Sequence, residues 1–91
     1  MSKKGEYDGA IKLQREALAI QAKTQGFEHP LYASGLNNLA GLLSEMGNYG
    51  DAIKLFREAL AILKKNYGEE HPMVATTRNN LVQLLNKKGL I

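Results

Sequence analysis

The sequence holds no cysteine and no tryptophan, only two prolines, and no apolar run long enough to cross a bilayer. Without thiols there is no disulfide framework, no thiolate nucleophile and no cysteine metal ligand, and the chain suits a reducing compartment. The start, Met1-Ser2-Lys3-Lys4, leads into a polar amphipathic stretch rather than a signal-peptide core, so the reading is a cytoplasmic protein with no membrane partner. Acidic residues are missing from the end of the chain. Beyond Glu70 the formal charges are Arg78, Lys87 and Lys88, which account for the whole net charge of +3. That is a mildly basic last segment, which reads as ordinary solvation more readily than as an anion site.

The inventory for catalysis is equally short. His29 and His71 each stand just before a proline in the same local sequence, with no second ligand set at metal spacing. The three serines, Ser2, Ser34 and Ser44, lie outside any nucleophile-elbow pattern. Glu16 and Glu58 sit beside Arg15 and Arg57 on expected solvent faces. The reading is therefore no enzyme, no metal and no cofactor. Gly47-Asn-Tyr-Gly50 formally matches a nucleotide-clamping GxxG loop, but it lies between two helical patterns with no sheet to support it. The six aromatics do not interleave with a basic stripe, so nucleic acid is not an expected partner.

What the chain does contain is a copy of itself. Residues 1–49 laid over 43–91 agree at 25 of 49 positions. Arg15-Glu-Ala-Leu-Ala-Ile20 recurs as Arg57-Glu-Ala-Leu-Ala-Ile62, Glu28-His-Pro30 as Glu70-His-Pro72, and Asn37-Asn-Leu39 as Asn79-Asn-Leu81. Within this 42-residue period, Gly5, Gly26, Gly47, Gly68 and Gly89 recur every 21 residues, each read as a helix end because glycine accepts the left-handed turn that closes a helix. Between them the apolar spacing is helical: Tyr49, Ala52, Ile53, Phe56, Ala59, Leu60, Leu63 and Tyr67 form one stripe, and Leu55 and Ile62 a second. Two stripes imply two neighbours, and Leu60 is expected to be buried between them. Pro30 and Pro72 suit the first turn of a helix. The expected helices are about 6–25, 31–46, 49–67 and 73–88 in one domain spanning 1–91. Their short connections require consecutive helices to run antiparallel, giving an all-α array.

The pattern Asn37-Asn-Leu-Ala-x-Leu-Leu43-x-x-Met46-Gly47-x-Tyr49-x-x-Ala52-x-x-Leu55-Phe56-x-x-Ala59-Leu60, followed by Gly-x-Glu-His-Pro, resembles the tetratricopeptide repeats, specifically the 42-residue kind of kinesin light chains. The resemblance covers nearly the whole chain. It implies a right-handed solenoid of helix pairs with helix A of each pair lining a concave groove, here in the order B-A-B-A. It also implies a non-catalytic module that binds an extended or acidic peptide, or a protein segment, along Ser34, Asn37, Asn38, Gly41, Thr76, Asn79, Asn80 and Gln83, with Lys87 at the edge. Asn38 and Asn80 match the asparagine that holds ligand main chain in peptide-binding members. Two readings of the asparagine pairs stand: an amide gripping a ligand backbone, or an amide hydrogen-bonded to a neighbouring helix to order the stack.

The B-A-B-A phase leaves the first and last helices each lacking a pair mate. A self-assembling unit is thus the alternative: a homo-oligomer formed through the terminal helices, with Ile11 and Leu18 on an open face of the first helix and Leu90 and Ile91 as uncapped apolar residues. Arg78, standing where the first copy has Leu36, reads as a capping adaptation.

Overall fold

The computed structural model describes residues 3–89 as four α-helices: α1 (Lys3–Gln25), α2 (Pro30–Glu45), α3 (Tyr49–Tyr67) and α4 (Pro72–Lys88). No strand occurs among the described residues. Each helix packs on the one before and the one after, α1 on α2, α2 on α3 and α3 on α4. The result is a slab with extents of 42 × 36 × 17 Å.

The helix boundaries follow from local chemistry. Both A-type helices open at a proline whose missing N–H is lost at no cost in the first turn. The residue before each proline caps it: His29 Nδ1 accepts from the Leu31 N–H and His71 Nδ1 from the Met73 N–H, both at 3.1 Å. The recurring histidines are thus helix caps. Gly26, Gly47, Gly68 and Gly89 all have φ between 80° and 93°, the left-handed region that a side chain disfavours, and each lies just past a helix end. Gly5 departs from this pattern. It lies inside α1, because the helical hydrogen-bonding extends back to Lys3 and gives the chain no turn to make there.

The core is built mainly by the central pair. Ala33, Leu36, Leu39, Ala40 and Leu43 of α2 meet Ala52, Ile53, Phe56, Ala59 and Leu63 of α3, with Val74, Leu81 and Leu84 from α4 and Leu18 from α1 completing it. Leu63 is fully buried, whereas Leu60 is only half-buried at the margin of the cluster, so Leu63 holds the central place expected of Leu60.

Two further expectations are corrected. Leu18 is 7% exposed and belongs to the core, and Ile11 packs against it, so both point into the chain and not onto an open face. The reason is local: Gly35 has no side chain, and a Cβ there would lie 2.6 Å from Leu18 Cδ2, so α1 sinks its leucine onto bare α2 backbone. The large apolar residues that α1 does expose are Leu13 and Ile20. Leu90 and Ile91 lie outside the described residues.

Candidate functional site

The two A-type helices, α2 and α4, are separated in sequence by α3 but border one cleft of about 270 Å³. Phe56 and Leu84 provide its apolar lining. Asn37, Gly41, Ser44 and Glu45 come from α2, and Asn80, Gln83 and Lys87 from α4. The spacing explains the convergence: 37, 41, 44 and 45 fall on one face of α2, and 80, 83, 84 and 87 on one face of α4.

Five of the nine groove residues read from the sequence meet here: Asn37, Gly41, Asn80, Gln83 and Lys87. Ser34, Asn38, Thr76 and Asn79 do not line this cleft. Ser34 is half-buried, and Asn38, Thr76 and Asn79 are exposed. The physical reason is that a groove of this kind needs two successive A-type helices, and the described residues contain one such pair. Asn80 looks back toward α2. Its repeat counterpart Asn38 occupies the corresponding position on α2, where no earlier A-type helix stands among the described residues. Ser44, Glu45, Phe56 and Leu84 were not anticipated. Helical spacing from Gly41 points to Ser44 and Glu45, one turn further along, while Phe56 and Leu84 are indistinguishable by pattern from ordinary core.

The asparagines of the repeated pair divide their roles. Asn37 Nδ2 donates to Thr77 Oγ1 at 3.0 Å, tying α2 to α4. Thr77 is itself 1% exposed, so this bond is made where water cannot replace it. The Asn37 Oδ1 is also buried and accepts no hydrogen bond among the described residues. Asn80 makes no side-chain hydrogen bond among the described residues and borders the cleft, leaving its amide available. One asparagine orders the stack and the other faces the opening.

The charge at the cleft end is mixed, since Glu45 stands near Lys87 rather than leaving that end purely positive. The Glu45 carboxylate also faces Tyr7 of α1, and its charge, with burial and the Glu6 charge adding, raises the Tyr7 phenol above its usual range.

On the opposite side, between the B-type helices α1 and α3 and over α2, lies a wider apolar cleft of about 540 Å³. Leu18, Phe27, Leu36 and Leu55 line it, with Arg15 and Glu58 among its charged residues. Phe27 packs edge-on against Tyr32 with ring centroids 5.3 Å apart. Burial, with the Glu58 charge adding, raises the Tyr32 phenol.

No group of three or more acidic or histidine side chains capable of holding a metal occurs among the described residues. No helix in them is long and apolar enough to cross a membrane.

A family model for the tetratricopeptide repeat matches residues 2–65 and again 33–90. The chain belongs to the tetratricopeptide repeat family. Solved structures agree with this. The tetratricopeptide array superposes on BtubC (BKLC) from P. vanneervenii with a TM-score of 0.85 at 30% identity, covering 92% of this chain and 33% of that one. It superposes on a putative kinesin light chain with nearly identical TPR-like repeats from Podosopora anserina with a TM-score of 0.84 at 28% identity, covering 97% of this chain and 42% of that one. A glutamine-to-methionine variant of the latter gives a TM-score of 0.85 at the same 28% identity. The chain spans well under half the length of these proteins. No match was found among curated protein sequences. The fold is thus a solenoid of kinesin-light-chain-like tetratricopeptide helix pairs, and α2 and α4 are its A helices, α1 and α3 its B helices.

Proposed function

We propose that this tetratricopeptide array is a non-catalytic protein-interaction module that receives an extended peptide in the cleft between α2 and α4. The observation that carries this reading is the meeting of the Asn80 and Gln83 amides with Lys87 over an apolar floor of Phe56 and Leu84. An extended peptide presents unpaired main-chain N–H and C=O groups, and a primary amide offers both a donor and acceptors to meet them. Lys87 selects an acidic side chain at its end of the cleft, while Glu45 disfavours a run of acids and so favours a peptide carrying isolated carboxylates. The small cleft sets a modest affinity, since contact area and ordering of the ligand work against each other.

The test is fluorescence-polarisation binding of the 91-residue chain to an array of labelled extended peptides graded in charge. Asn80→Ala is expected to weaken the best binder by about 1–3 kcal/mol with an unchanged melting temperature, and Asn38→Ala to have no effect. Equal affinity for the Asn80→Ala and unaltered chains would remove the cleft as the binding site.

A further inference from the structure

Two helix faces are exposed although their copies one repeat away are buried. On α1, Leu13 and Ile20 are 68% and 63% exposed and Ala17 is exposed as well. Their counterparts on α3 are Leu55, Ala59 and Ile62, of which Ala59 is fully buried and the other two pack against the core. On α4, Ala75, Arg78 and Val82 are exposed and Leu85 is half-buried, whereas the counterparts on α2, Ala33, Leu36, Ala40 and Leu43, are all 4% exposed or less. Each set forms a single stripe at helical spacing.

The origin of the difference identifies the missing neighbour. α2 packs on both α1 and α3, while α4 packs on α3; α3 packs on both α2 and α4, while α1 packs on α2. Among the described residues, therefore, α4 has no B helix in the place α3 takes on α2, and α1 has no A helix in the place α2 takes on α3. The two exposed stripes are the two sides of one seam.

A charge difference gives that seam its own chemistry. In the α2–α3 pair Leu36, Leu55 and Glu58 border the same cleft. One repeat away, the corresponding residues are Arg78 on α4 and Leu13 and Glu16 on α1. Arg78 thus stands where a partner's Glu16 would face it. Arg57, the counterpart of the cleft-lining Arg15, lies on the α3 side of that corner, so Glu16 would meet two cations. Neither Arg78 nor Glu16 takes part in an ion pair among the described residues.

We propose that α4 of one copy of this chain seats on α1 of a second copy in the geometry of α2 on α3, Arg78 against Glu16, wherever no further repeat of the same chain covers those faces. Leu13, Ala17 and Ile20 then cover Ala75, Val82 and Leu85, and the contact is heterologous, so it propagates as a filament or closes as a ring. Arginine at this position makes a continuous seam conditional on an acid opposite, which an unpaired burial would penalise strongly.

Sedimentation velocity of the 91-residue chain over a concentration series tests this. The unaltered chain is expected to grow in mass with concentration. Arg78→Glu and Glu16→Arg are each expected to weaken association at least about tenfold, because each sets like charges across the seam. Both residues are exposed, so at a concentration too low for assembly the melting temperature of each variant should match that of the unaltered chain. An equimolar mixture of the two variants should recover assembly, since every junction between unlike chains again joins Arg to Glu. A single-chain mass at every concentration up to the millimolar range overturns the proposal. So do reversal variants that assemble like the unaltered chain, or a mixture that fails to recover.

Discussion

Helices α1 and α3 carry the same block, Arg15 to Ile20 repeated residue for residue as Arg57 to Ile62, yet α3 buries five residues and α1, among the described residues, buries one, Leu18. Part of the difference is neighbours: among the described residues α3 is held between α2 and α4, whereas α1 packs chiefly on α2. Part is sequence. Where α3 has Phe56 and Leu63, α1 has Gln14 and Gln21. Gln14 Nε2 donates weakly to the Gly35 carbonyl at 3.4 Å, and the Gln21 Oε1 is buried beside Gly35 without a hydrogen-bond partner among the described residues. The joint between α1 and α2 therefore relies on a leucine pressed onto glycine, with two amides around it. In the joint between α3 and α4, Phe56 and Leu63 stand where α1 has its glutamines, and Thr77 takes the place of Gly35 and binds Asn37. A repeated sequence block thus supplies a face, and the neighbouring helix decides how much of it leaves water.

The largest test of this contrast is truncation at equivalent core positions. Leu63→Ala, at a fully buried site, is expected to cost roughly 2–5 kcal/mol in urea unfolding, a large share of the stability of so small a fold. Gln21→Ala, its counterpart on α1, should cost about 1 kcal/mol or less, because it removes an unpaired polar atom together with a modest apolar contact. Equal losses would show that the two B helices are held alike, and the comparison would collapse.

Next in size is the glycine contact. Gly35→Ala places a methyl 2.6 Å from Leu18 Cδ2 and should destabilise by about 1–3 kcal/mol. Gly41→Ala, at a helical site with open space around its Cβ position, should instead stabilise by about 0.5–1 kcal/mol through helix propensity. Thermal unfolding of the two variants resolves the sign. If Gly35→Ala also stabilised, α1 would not be seated through that bare backbone.

The smallest effect sharpens the roles within the repeated asparagine pairs. Asn37→Ala removes the bond to the buried Thr77 hydroxyl and is expected to cost about 1 kcal/mol. Asn79→Ala, at the exposed counterpart, should change stability by no more than about 0.5 kcal/mol. Matched losses would mean that Asn37 draws its contribution from its own helix rather than from α4.

Much of this was legible in advance. The four helices fall within three residues of their expected limits because proline, histidine and glycine act on the backbone locally, through caps and left-handed turns that need no distant partner. The groove was legible in part. The resemblance to the family placed Asn80, Gln83 and Lys87 in the groove, but it equally nominated Asn38 and Asn79, which lack a facing A helix among the described residues. Repeat symmetry assigns equivalent positions the same role, whereas a groove depends on which pairs of helices are present to form it. Ile11 and Leu18 were misplaced for a related reason: an apolar stripe on α1 has two sides, and spacing alone does not say which of them α2 occupies.

The sequence by itself determined the period, the antiparallel order and every helix end except the one expected at Gly5, which rest on short-range backbone chemistry and self-comparison, and its motif resemblance pointed to the family. Only the tertiary structure decided that Leu18 is inside and Leu13 and Ile20 are outside, that Asn37 braces the stack while Asn80 borders the cleft, and that Arg78 lies on an exposed stripe complementary to the one holding Leu13. These outcomes depend on the rotation of each helix about its axis against its neighbours. That rotation is fixed by how side chains fill the space between helices, and at the first joint by the single absence of a Cβ at Gly35.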